Sequence, residues 1–112
     1  MIYRQNNLVV KILFENLRKS PITGVYRPQA YIDGSTKYCT VCKFDVFKKE
    51  IKQGDKIVFE TILEAPKGFG HRLKEGALLT IREGLDVVGK AIVLDIIGYQ
   101  KEIAKEKPSQ LS

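Results

Sequence analysis

Residues 7–15 read Asn-Leu-Val-Val-Lys-Ile-Leu-Phe-Glu, and their alternation decides the fold class. Leu8, Val10, Ile12 and Phe14 fall on one face of an extended chain, Lys11 and Glu15 on the other. Successive side chains of a strand point to opposite faces, so this pattern predicts a half-buried β-strand.

Working outward, the chain continues as short extended runs punctuated by turn residues. Arg18-Lys19-Ser20-Pro21 is a polar turn, and Val25 to Ile32 is expected as a second strand containing Pro28. Proline cannot donate to a ladder, so that strand is expected at an edge or with a bulge. Asp33-Gly34-Ser35 reads as a turn, and Tyr38 to Phe47 as a third strand. Gln53-Gly54-Asp55 is a hairpin signal before a strand at Lys56–Leu63. Ala65 to Gly70 is expected as a loop, Ala77 to Arg82 as a strand, Glu83 to Asp86 as a turn, and Val87 to Ile97 as the last strand. About six strands with no convincing helix between them argue for an all-β fold, an antiparallel barrel or sandwich. The strands at Leu8, Ile57 and Val87 are apolar on both faces in places, which suits a barrel that also packs against something outside itself.

The chain has 112 residues, enough for one domain. Residues 1–99 are expected to form it, followed by a Lys- and Glu-rich tail, 100–112, read as a short helix or disordered. No apolar run approaches the roughly 20 residues that span a bilayer. The start of the chain lacks the pattern of a secretion signal, so a cytoplasmic location without membrane association is the expectation. Nineteen Lys and Arg against thirteen Asp and Glu give a net charge of +6. That surplus favours an anionic partner such as RNA, although many soluble domains carry as much.

Cys39 and Cys42 form a C-x-x-C, which can mean redox chemistry or half a zinc site. Zinc needs two further ligands, and His71 is the one histidine. On a strand, residues three apart point to opposite faces with Cα atoms roughly 10 Å apart, beyond disulfide reach. Both cysteines are therefore expected as reduced strand residues. No phosphate-binding loop and no nucleophile–base arrangement is recognisable, and Glu83 with Asp86 reads as a solvated hairpin tip. Neither catalysis nor a metal or other cofactor is expected.

Two stretches carry a resemblance. One contains Val25-Tyr-Arg-Pro-Gln-Ala-Tyr31; the other runs Leu73-Lys-Glu-Gly-Ala-Leu-Leu-Thr-Ile-Arg-Glu-Gly84 and continues through Val88-Gly89. With Lys52-Gln-Gly-Asp-Lys-Ile57 between them, they resemble the third, C-terminal β-barrel domain of bacterial elongation factor Tu over roughly residues 7 to 98. The resemblance implies a six-stranded antiparallel barrel with no catalytic role, which in that family packs on neighbouring domains, takes part in binding the exchange factor Ts and contacts the T-stem of aminoacyl-tRNA. It places the RNA-contacting positions at Arg18, Gln29, Glu83 and Gly84, with Lys19 beside Arg18. Arg meets phosphate, Gln bonds a ribose hydroxyl, and a glycine tip lets backbone approach RNA. Read without the resemblance, each of these is an ordinary turn or strand residue.

The sequence also departs from the family. Leu85 and Asp86 replace its Gly and Arg at the tip, Asp33 to Asp45 does not match, and Ala65–Arg72 is longer and more basic. The GTPase and second domains have no counterpart here, so no GTP binding is expected of this chain. The expected function is a free-standing, translation-related binding module that contacts tRNA or other structured RNA. The alternative is a protein–protein interaction module that docks on, or mimics, a translation-factor partner.

Overall fold

The alternation read in residues 7–15 forms β1, Leu8–Asn16, with Val10, Ile12 and Phe14 wholly buried and Lys11 exposed. The structure, a computed structural model, describes residues 7–32, 39–64 and 66–99. The turn expected at Asp33–Ser35 and the tail 100–112 lie outside the described residues.

Six further strands follow: β2, Ile22–Tyr26; β3, Gln29–Ile32; β4, Cys39–Ile51; β5, Lys56–Glu64; β6, Leu78–Glu83; and β7, Asp86–Tyr99. Strands β4, β3, β6, β7, β1 and β5 pair in that order, and β5 pairs back onto β4. Every pairing is antiparallel, so the chain makes a closed six-stranded antiparallel barrel. Closure leaves the ring without an unpaired edge.

The run expected as one strand from Val25 to Ile32 is two. Strand β2 ends at Tyr26, β3 begins at Gln29, and Pro28 lies between them. Proline has no N–H for a ladder, but its carbonyl accepts the Cys42 N–H at 2.9 Å. Strand β2 then pairs with the far half of β4, outside the ring, through Tyr26–Phe44 and Val25–Asp45. The segment expected as a loop at Ala65–Gly70 contains a short 3-10 helix, Pro66–Arg72, kinked at Gly70, and its Phe69 is buried in the core.

At one end the core is aromatic. Phe44 meets Phe14 and Phe59 edge-on at 4.9 Å each, and Tyr26 meets Phe44 at 5.8 Å. Such edge-to-face contacts stabilise by about 0.5–1.5 kcal/mol each beyond area burial. Phe14 also explains Gly89: a Cβ there would lie 2.5 Å from the Phe14 ring and 2.9 Å from the Glu15 carbonyl oxygen. Only glycine lets β1 and β7 approach so closely.

Candidate nucleic-acid interface

The loop after β1 is fixed by a buried amide. Asn16 is fully buried; its Nδ2 donates to the Ile51 carbonyl at 2.8 Å, and its Oδ1 accepts the Arg18 N–H at 2.9 Å. Its backbone ties to the β4–β5 turn: Asn16 N–H donates to Asp55 O at 3.0 Å, and Gly54 N–H donates to Asn16 O at 2.7 Å. One residue thus holds the start of the β1–β2 loop against the Gln53–Gly54 hairpin and places Arg18 at the barrel rim.

Arg18 is held on three sides. Its Nε lies 3.1 Å from Glu83 Oε2, its Nη1 donates to the Pro21 carbonyl at 3.1 Å, and its guanidinium sits 5.2 Å from the centre of the Tyr26 ring. The Tyr26 hydroxyl donates to the same Glu83 oxygen. Burial, then the hydrogen bond to Glu83 and the Glu83 charge, push the Tyr26 hydroxyl well above the ordinary tyrosine value of 10.0, while the Arg18 charge pulls the other way. A half-exposed ion pair of this kind contributes about 0–1 kcal/mol by itself. Its consequence here is positional: the guanidinium, ring and carboxylate form one unit above the aromatic end of the core.

Glu83 ends β6, and the tip beyond it turns at Gly84, whose φ of +61° lies in the left-handed region. That conformation favours glycine whatever the site does. Leu85 at the tip is 90% exposed. Lys19, beside Arg18, is exposed. Gln29 is half-buried on β3, opposite Arg82 of β6, the residue before Glu83. The five positions singled out in the sequence therefore gather at one end of the barrel, with Arg18 and Glu83 in direct contact.

Three residues that matter here were not singled out: Asn16, Tyr26 and Arg82. Arg82 stacks over the Tyr31 ring at 5.1 Å, and its buried Nε has no hydrogen-bond partner among the described residues. An outward Arg in β6 and an outward Tyr in β3 are visible in the sequence; their contact depends on strand register, which is not. Arg27 is paired with Glu64 at 2.6 Å, so part of the basic surplus is neutralised locally.

The remaining candidates lie apart. Cys39 is exposed and Cys42 is buried, on opposite faces of β4. Burial pushes the Cys42 thiol far up, the unreactive direction. His71 is exposed on the 3-10 helix. Glu83 and Asp86 face each other in register across the hairpin, both exposed. Among the described residues, no group of three or more His, Cys, Asp or Glu converges as a metal site. No family model matches the chain, and no curated protein matches it.

Proposed function

We propose that the protein is a non-catalytic binding module that contacts structured RNA, with tRNA as the case implied by the resemblance to elongation factor Tu. The observation that supports this reading is the gathering of Arg18, Lys19, Gln29, Glu83 and Gly84 at one barrel end. Arg18 is pre-positioned: its contacts engage Nε and Nη1, and a phosphate would meet Nη2. Lys19 adds a second exposed cation, and Gln29 beside Arg82 supplies a polar group for a ribose hydroxyl.

The test is tRNA binding by fluorescence anisotropy across a salt series. A contact with about 3–4 phosphates loses on the order of 100-fold in affinity between about 50 and 200 mM salt. Lys19→Glu weakens binding without touching the Arg18–Glu83 pair; Arg18→Glu weakens it further. If both variants bind as the wild type does at low salt, the reading fails.

A second reading, docking on another protein, is favoured by a different observation: large apolar side chains stand exposed on the barrel wall, among them Leu78, Val58 and Ile92. Retention of a translation factor, but not of tRNA, by the immobilised protein would select it.

A further inference from the structure

One stretch of the barrel wall carries an ordered pattern across neighbouring strands. Val58 of β5 pairs with Leu13 of β1, Leu13 with Ile92 of β7, and Ile92 with Leu78 of β6. All four point out of the barrel. Leu13 is half-buried, and the others are 47%, 38% and 55% exposed in the order Val58, Ile92, Leu78. They form one apolar row perpendicular to the strands. An open groove of about 510 Å³ lies along it, lined by Leu13, Ile92 and Leu78.

Charges border the row on both sides, and their order is the informative part. Two residues along each strand in one direction stand Lys56, Glu15 and Lys90, in register across β5, β1 and β7. On the other side stand Glu60, Lys11 and Asp95 in the same strand order. One border reads plus, minus, plus; the other reads minus, plus, minus.

We infer that this wall is an isologous interface between two copies of the chain, with the two-fold axis along the apolar row. Rotation about that axis exchanges the two borders and keeps the strand order. Lys56 of one copy then faces Glu60 of the other, Glu15 faces Lys11, and Lys90 faces Asp95. Every facing pair is opposite in charge, and each occurs twice by symmetry. The other face-to-face two-fold, along the strands, sets Glu15 against Glu15 and Lys56 against Lys90, like on like. The charge order therefore selects one orientation and a second copy of this chain as the occupant.

Two sheets packed this way sit about 10 Å apart with their strands within about 30° of alignment, so long Lys and Glu side chains still meet. A β-bulge at Leu94 in β7 carries that 39%-exposed side chain outward on the acidic side of the row, opposite the groove of the other copy. This inference goes beyond the RNA reading, which concerns a different surface; on the apolar wall it sets a second copy of this chain where the second reading sets another protein, and its test involves no RNA.

The measurement is mass in solution by sedimentation equilibrium. The wild type is expected at twice the 12.7 kDa of one chain. Lys11→Glu alone leaves Glu15 facing a second carboxylate, and Glu15→Lys alone leaves Lys11 facing a second ammonium. Each single variant weakens its own homodimer by about tenfold or more. Mixing the two restores dimerisation to near the wild-type level, because every facing pair is again opposite in charge. In a Cys39→Ser background, Leu13→Cys is joined to its own copy by a bifunctional maleimide that spans about 10 Å, the separation of the two sheets, since a residue on the axis faces its own copy; Thr23→Cys, exposed on β2, is not. A wild type that stays at monomer mass to about 0.5 mM overturns the inference. So does a dimer in which the mixed variants associate no better than either alone.

Discussion

Glu83 Oε2 lies 3.1 Å from the Arg18 guanidinium and accepts the Tyr26 hydroxyl as well, so one carboxylate oxygen ties the β1–β2 loop and β2 to the end of β6. The carboxylate both positions Arg18 and offsets its charge. Replacing Glu83→Gln keeps an acceptor for Tyr26 and removes the negative charge. If the surface meets RNA, tRNA affinity at low salt rises about two- to fivefold, and the salt slope steepens. An unchanged affinity would place the RNA contact away from Arg18, and a weaker one would make Glu83 itself an RNA contact.

The raised Tyr26 hydroxyl links the same cluster to pH. Its folded value lies above the ordinary 10.0, so the folded state holds the proton more tightly than the unfolded chain does. The associated stability is fully present below about pH 10 and is lost as pH rises beyond it. Urea melts between about pH 8 and 11 should show Tyr26→Phe less stable than the wild type, by a margin that shrinks above pH 10. The comparison with the variant removes the contribution of titrating lysines.

Asn16 satisfies two backbone partners from the end of β1, the buried Ile51 carbonyl and the part-buried Arg18 N–H. Asn16→Ala leaves both without that partner and should cost about 1–3 kcal/mol in urea unfolding. Asn16→Asp also buries a carboxylate without the Nδ2 donor and should cost more at neutral pH, with partial recovery on acidification.

At Gly89 a Cβ would press on the Phe14 ring and on the fixed Glu15 carbonyl. The ring can shift a little, but the backbone oxygen belongs to the β1–β7 ladder. Gly89→Ala should lower stability by about 1–3 kcal/mol, read as a lower urea midpoint with an unchanged slope.

The two cysteines should differ sharply toward a thiol reagent. In the native protein, Cys39 reacts promptly and Cys42 does not; in denaturant both react. Prompt reaction of both in the native state would mean that the barrel opens readily at β4.

The order of residues along the chain carries the local features. Alternation at Leu8, Val10, Ile12 and Phe14 marked β1, and Gln53-Gly54-Asp55 marked the hairpin where Gly54 takes φ +88°. Pro28 signalled a disturbed ladder, but whether the strand would bulge or stop depended on what lay beside it: the structure stops it and sends β2 outside the ring. The tertiary structure alone decided the contacts that give the surface its chemistry. Tyr26 and Glu83 stand 57 positions apart, and Arg18 reaches the same carboxylate only because the ring brings the β1–β2 loop beside the end of β6. The order of Lys56, Glu15 and Lys90 along one row likewise exists only once β5, β1 and β7 are in register. A period of two is set by each residue and its immediate neighbours, whereas register across strands is fixed by closing the whole barrel around one core.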